Sequence, residues 1–506
     1  MNRRQLLRSV ATIAAFGPAV WPALSLSASM RMQGMDMKGM KMGSGMMGGG
    51  ERITELPVGQ PLPELVKLIN TSKQLGVFEA VLEAGPTQVE FAKGIKTEVL
   101  AYNGTVPGQM IEVIEGDKFK VTFRNKIVGQ DSTIHWHGLD VPPDQDGNPA
   151  QPVASGQERV YEFEIPQGSA GSYWYHPHPH ENTAEQVYRG LAGVFLVRPK
   201  SDPLPQELGD TVLIISSISL NSDGSIADNT MTDIMNGREG DHVLVNGAKQ
   251  PVITLAPGTT RRFRLYNATN GRFLKLSFEG HTMTLVGTDG GLIAAPVAGL
   301  KELLLAPAER AEVVVNFQKT LGAVTLVSLT HERGWMGPGK PSESTLAVMS
   351  INLAGPAMAS MPLPTKLRDI VDLGGPTATK QLEFSEPMGM GNGMMNMGFL
   401  IDGKSFDMNR VDQRSKLGDV ELWEIKNTSG MDHPFHIHGG QFQIVERELG
   451  GTKTPPAFIG WKDTVNIANK EIVRVKMRQA FAGLRMYHCH ILEHEDAGMM
   501  GTLQVL

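Results

Sequence analysis

At roughly 150 residues per domain, a chain of 506 residues holds about three domains, and its 57 glycines and 31 prolines favour short strands joined by many turns over long helices. A formal net charge of −6 with no long basic block excludes a nucleic-acid partner, and no run of about 18 or more apolar residues follows the N-terminus, which excludes a membrane span. The single cysteine, Cys489, excludes an intrachain disulfide framework.

The chain opens on Arg3-Arg4-Gln5-Leu6-Leu7-Arg8, then an apolar stretch from Val10 to Leu26 broken by Gly17, Pro18 and Pro22, then the small residues Ser25, Ser27, Ala28 and Ser29. That order reads as an export signal over residues 1–29, too short and too broken to be an anchor. The paired arginines point to the twin-arginine route and a periplasmic destination, although an ordinary secretory signal would also use them as plain positive charge. Residues 30–52 follow as a low-complexity stretch with Met30, Met32, Met35, Met37, Met40, Met42, Met46 and Met47, closed by Gly48-Gly49-Gly50. So many glycines leave no buried face to build, and disorder is expected. Its thioethers are soft ligands that select Cu(I); the alternative is a tail without function.

The remainder repeats one unit three times. Asn103-Gly104 precedes Gly116-Asp117 and a run Phe119, Val121, Phe123 towards Asn125. Asn246-Gly247 precedes Pro257-Gly258 and a run Phe263, Leu265 towards Asn267. Asp402-Gly403 precedes Gly418-Asp419 and a run Val420, Leu422, Ile425 towards Asn427. The interval from that Gly to the Asn is the same in all three copies. Each copy reads as a turn, an alternating strand and another turn, so the fold is all-β, three β-sandwiches in series. The expected divisions are 53–200, 207–354, a Pro-containing linker 355–376, and 377–506.

Most of the 14 histidines crowd into four places: His135-Trp136-His137, His176-Pro177-His178, His433-Pro434-Phe435-His436-Ile437-His438, and His488-Cys489-His490 with His494 beyond. On a strand, His-X-His puts both imidazoles on one face, which suits a shared metal or two adjacent ones. The middle copy is an internal control. The offsets from Asn427 that carry His433, His436 and His438 carry Phe273, Leu276 and Phe278 when counted from Asn267. In the last cluster, alternation throws His488 and His490 to one face and Cys489 to the other. Cys489 can then join His433, His494 and Met499 in a His₂Cys site with a weak thioether, the donor set of blue copper.

Together these four clusters resemble the multicopper oxidase family, most closely the periplasmic cuprous oxidases of bacterial copper efflux, which are also laccase-like. The resemblance covers both ends of the mature chain through His135-Trp136-His137-Gly138, Trp174-Tyr175-His176-Pro177-His178, His433 to Gly439, and His488-Cys489-His490 through Met499. It implies three cupredoxin-like Greek-key domains and four copper ions. His433, Cys489, His494 and Met499 would hold a type 1 copper, His135 and His436 a type 2 copper, and His137, His176, His178, His438, His488 and His490 a type 3 pair. Asp146 and Glu495 match acidic positions the family uses to supply protons to O₂ reduction. His180, His242, His281 and His331 match no role and are expected to be structural.

The resemblance leaves the electron donor open between Cu(I) and phenols or aromatic amines. Met388, Met390, Met394, Met395 and Met397 form a second methionine patch, and Met431 and Asp432 precede His433, so this region is a candidate for substrate Cu(I). The chain departs from the cuprous-oxidase pattern in its short insert and in Ser429, where an Asp is expected. A periplasmic copper-storage protein would explain the methionines but not the full histidine set, and a copper nitrite reductase predicts two-domain subunits. A monomer acting on O₂ is expected.

Overall fold

A computed structural model describes residues 51–318, 321–337, 340, 344–391 and 394–506. The expected export signal and Met30 to Met47 lie outside the described residues. Three consecutive sandwiches result, each with its own apolar core.

The first sandwich packs the sheet Ile95–Tyr102, Val77–Ala92, Lys118–Asn125, Glu158–Glu164 on the sheet Gly108–Ile114, Gly193–Arg198, Gly171–His176, His135–His137. The second builds six strands around Thr260–Asn267 and Arg310–Asn316, and five around Gly322–Leu329. The third builds six strands around Val420–Asn427 and Glu471–Arg478, and five in the order Gln413–Ser415, Met500–Val505, Gly483–Cys489, His433–Ile437, Thr464–Ile467. Among the described residues the α-helices, Thr183–Tyr188, Met231–Asn236 and Leu492–Asp496, are one to two turns long.

The repeat has a physical basis in two side chains per copy. Asn103, Asn246 and Asp402 hold left-handed backbone at φ 48°, 51° and 53°, a conformation that Asn and Asp tolerate better than other residues bearing a Cβ. Each Oδ1 accepts the backbone N–H of an incoming strand, from Glu83, Ile214 and Glu383 respectively. Asn125, Asn267 and Asn427 end the alternating strands fully buried. Each spends its amide on two carbonyls: Gln130 and Val153, Arg272 and Leu305, Met431 and Ile467. The strand ending in that Asn always pairs in parallel with the first strand of its sandwich. A buried residue that must satisfy two backbone carbonyls cannot drift, which is why the interval is constant.

Candidate metal centre

Strand pleat sorts the histidines from the core. Trp136 packs into the first core, while the rings of His135 and His137 leave from the opposite face with centroids 5.3 Å apart. His135 stands in register with His176, and His436 with His488. One step along, Phe435 is opposite Cys489, and both point into the third core. Gly138 after His137 has φ 89°, and a Cβ there would fall 2.1 Å from Asp463 Oδ2 and 2.6 Å from Arg310 Nη2. Only glycine lets the first and third sandwiches approach so closely at this point.

Eight imidazoles from those two sandwiches meet in one buried assembly, none more than 2% exposed. His135 Nε2 lies 3.3 Å from His436 Nε2, and His137 Nδ1 lies 3.3 Å from His176 Nε2. His488 Nε2 lies 3.3 Å from His178 Nε2 and 3.1 Å from His438 Nε2. In six rings the outward nitrogen is tied to an oxygen, which turns the other one inward. His135 and His438 donate from Nδ1 to the two oxygens of Asp146, each at 3.1 Å. His137 donates from Nε2 to Asp463 Oδ1 at 3.0 Å, and His436 from Nδ1 to the Asp463 carbonyl at 2.9 Å. His176 and His488 donate from Nδ1 to the carbonyls of Pro177 and Cys489. Burial holds His137, His176, His436, His438 and His490 well below the ordinary imidazole value, and His178 down at about 3. These rings are neutral at pH 7, the form that binds metal.

A second group lies across the strand Gly483–Cys489. His433 Nδ1 is 3.4 Å from Cys489 Sγ, and Cys489 Sγ is 4.0 Å from His494 Nδ1. The far nitrogens are occupied: His433 Nε2 donates to Ser429 Oγ at 2.8 Å, and His494 Nε2 to the Met235 carbonyl of the middle sandwich at 3.1 Å. Phe399 stacks on His494 with centroids 4.2 Å apart. Met499 is buried in the same core, its backbone bonded to both Cys489 and His494. Burial pushes the Cys489 thiol well above its usual range.

The acids divide by position. The one-turn helix Leu492–Asp496 sends His494 towards Cys489 and Glu495 the other way, with Glu495 Oε1 3.3 Å from His178 Nε2 and Oε2 3.1 Å from His488 Nδ1. Asp146 is the shared acceptor described above, and burial raises its carboxyl. Three groups missed in the sequence belong here: Asp463, the Arg310 that grips it, and Glu386, whose Oε1 is 3.1 Å from His433 Nε2. Asp432 turns away from the group. Its carboxylate accepts from His331, Asn466 and the Asn469 N–H, so its oxygens are committed to holding loops together. Met431 is fully buried in the core. Met388–Gly391 pairs antiparallel with Met394–Met397 as a small hairpin. Of the histidines expected to be structural, His242 bonds the Ile53 carbonyl and His331 bonds Asp432.

The donor set fits copper. Neutral imidazoles and a thiol are borderline-to-soft ligands, unlike the oxygen cages that calcium and magnesium require. His490 is buried with neither ring nitrogen bonded, and His178 Nδ1 is likewise unpartnered. Four triads of these residues, His135 with His137 and His176, His135 with His436 and His438, His178 with His438 and His488, and His433 with Cys489 and His494, bring ligand atoms within 4.8 Å of one another.

Sequence models of the multicopper oxidase family match residues 83–202, 216–333 and 380–506. The multicopper oxidase mco of Staphylococcus haemolyticus is 34% identical over 439 residues, 85% of this chain and 89% of that one. Among solved structures, a multicopper oxidase from Campylobacter jejuni described as a metallo-oxidase superposes with a TM-score of 0.84 at 43% identity, covering 90% of this chain and 98% of that one. A laccase from Pediococcus acidilactici gives 0.78 at 30% identity over 91% and 96%. With matches of this extent laid over the buried imidazole assembly, the chain belongs to the multicopper oxidase family: it is a copper-dependent oxidase of three cupredoxin-like domains.

Proposed function

We propose that the enzyme couples one-electron oxidation of Cu(I), and of phenolic donors more slowly, to the four-electron reduction of O₂, in the periplasm and in the service of copper tolerance. Four Cu(I) give four electrons, and with four protons one O₂ becomes two waters. The observation that carries the reading is the His488-Cys489-His490 segment, whose alternating side chains face the two donor groups described above. We assign His433, Cys489, His494 and Met499 to one type 1 copper and His135 with His436 to a type 2 copper. A type 3 pair then falls to His137, His176 and His490 and to His178, His438 and His488. The domain division 53–200, 207–354 and 377–506 belongs to the same proposal.

Copper bound there supplies the one-electron redox couple that no side chain in the site provides. The chain's own residues do the rest. Cys489 connects the two groups through covalent bonds of the backbone, so electrons need cross no gap in the protein. Asp146 and Asp463 fix which nitrogen of four imidazoles faces inward. Glu495, between His178 and His488, is placed to hold a proton beside the assembly and pass it on. The methionine hairpin offers soft thioethers to Cu(I), and the Campylobacter relative's description as a metallo-oxidase favours a metal donor. A laccase confined to organic donors is the second reading, supported by the Pediococcus likeness.

The test is O₂ uptake by the purified, copper-loaded enzyme with Cu(I), a substituted phenol, Mn(II) and bilirubin in parallel. Turnover fastest with Cu(I) is expected. Phenol turnover without Cu(I) turnover would leave the laccase reading, and no uptake with any donor would leave a storage protein.

A further inference from the structure

Glu386 follows directly on the strand Ala378–Ser385 and stands two residues before the methionine hairpin. Its side chain is only 2% exposed. Oε1 is 3.1 Å from His433 Nε2 and 4.0 Å from His494 Nδ1, so the carboxylate spans the two imidazoles that flank Cys489. Neither carboxylate oxygen has a hydrogen-bond partner. His433 cannot satisfy it, because its Nε2–H is directed at Ser429 Oγ. Arg333 Nη2 pairs with Glu239 at 2.7 Å, and among the described residues no ion pair joins Arg333 to Glu386. The surroundings are aromatic, with Phe384 edge-on to His433 and Phe399 stacked on His494. A buried carboxylate left without donors among phenylalanines is unfavourable unless a cation sits beside it.

We infer that Glu386 is the buried counter-charge of the type 1 copper and holds that centre at a low potential. Divalent copper on one thiolate and two neutral imidazoles leaves a net single positive charge, whereas the monovalent ion leaves none. A fixed anion in this apolar pocket therefore stabilises the oxidised centre against the reduced one. Each reduction adds one electron to the centre and moves no proton through Glu386. A lowered potential still accepts an electron from an easily oxidised donor but slows acceptance from a phenol. Glu386 is thus a specificity-determining residue, acting on the donor through the metal. It lies 47 residues upstream of His433 in the chain, yet outside every histidine motif.

The inference rests on placing type 1 copper at His433, Cys489 and His494, and the experiment separates the two. A redox titration of the blue absorption band is run on copper-loaded wild type, Glu386→Gln, Glu386→Asp and Glu386→Met. A wild type without a blue band would overturn the copper placement and the inference with it. With that band present, the Gln and Met variants should titrate at a higher midpoint than wild type, and Asp close to it. Their ratio of phenol to Cu(I) turnover should rise several-fold. An unchanged midpoint in blue Glu386→Gln would overturn the counter-charge. If Gln and Met fail to take up type 1 copper while Asp does, the charge is needed for binding itself, which supports the same conclusion. If all three stay colourless, Glu386 is a packing residue and the inference fails.

Discussion

Arg310, from the sandwich that contributes no histidine to the assembly, closes a two-point ion pair on Asp463 of the third sandwich, with Nη1–Oδ1 at 2.7 Å and Nη2–Oδ2 at 2.5 Å. Both side chains are buried, and the same Oδ1 accepts from His137 Nε2. The middle sandwich therefore reaches the imidazole assembly through a charge instead of a histidine. Removing one partner of a buried pair leaves the other uncompensated, a loss of about 3–5 kcal/mol. Arg310→Met should lower the unfolding free energy of the copper-free protein by that order, read from denaturant titration. Asp463→Asn should in addition weaken copper retention by about 10–100-fold, the usual cost of losing an oriented second partner. A stability change under about 1 kcal/mol in Arg310→Met would show that the pair contributes little beyond its geometry.

Cys489→Ser tests the link between the two groups. The thiol's contacts with the Ile491 N–H, His433 and His494 are all long and it closes no disulfide, so serine should be tolerated by the fold. Its hydroxyl is a hard, neutral ligand. The variant should be folded and colourless at the type 1 band, retain copper on the histidine assembly, and show essentially no O₂ uptake with any donor. Metal analysis, the visible spectrum and oxygen uptake on one sample decide it. A blue variant, or one that turns over, would place the electron-accepting site elsewhere.

Copper uptake should depend on pH, and the thiol sets the sign. Burial raises Cys489, so at neutral pH the copper-free protein carries the thiol and binding must expel its proton. Burial holds His494 below the ordinary imidazole value, so it releases nothing further. Below the thiol's folded value, affinity for the blue site should therefore fall about tenfold for each unit by which pH drops. Titrating copper-free protein with Cu(II) and following the blue band against pH measures that slope. A flat profile would mean that the thiolate exists before copper arrives.

Much of this architecture was legible because it is local. The Asn that ends each alternating strand and the left-handed Asn or Asp before it act within their own sandwich, so constant spacing reveals them. His-X-His spacing reports a face because pleat is periodic, and the apolar Phe273, Leu276 and Phe278 mark where the same face packs without metal. Alternation also misled at Asp432: sequence adjacency to His433 puts it on the other side, where His331 and Asn466 take it up. Arg310, Asp463 and Glu386 were invisible for the opposite reason. Each acts across sandwiches or across a sheet, on partners whose distance along the chain encodes nothing about distance in space. A Lys-Asp pair directly ahead of a short strand, Lys462-Asp463 before Thr464–Ile467, was the one weak sign.

Glu495→Gln keeps size and removes the acid between His178 and His488. Proton delivery follows electron arrival, so the variant should be blue, fill its type 1 site normally and turn over slowly, by about 10²-fold or more, with an altered pH profile. Steady-state turnover matching wild type across pH would retire the proton role and leave Glu495 as a residue that orients two imidazoles.

Residues Met388 to Met397 distinguish the two donor classes. Thioethers bind Cu(I) because both are soft, and they offer little to a phenol beyond apolar contact. Among the described residues the hairpin pairs with itself, Met388–Gly391 against Met394–Met397, and carries no rung of the six- or five-stranded sheets of its sandwich. Replacing it with a short Gly-Ser link should therefore leave the fold and the blue band intact. Glu386 and Phe399 flank the segment, so the link must preserve both residues. Under those conditions Cu(I) oxidation should fall, seen as a higher KM with kcat less affected, because the lost thioethers act in binding the donor. Phenol oxidation should stay level or rise. Equal losses on both donors, with the blue band retained, would make the hairpin a scaffold for the site and remove the methionines from donor recognition.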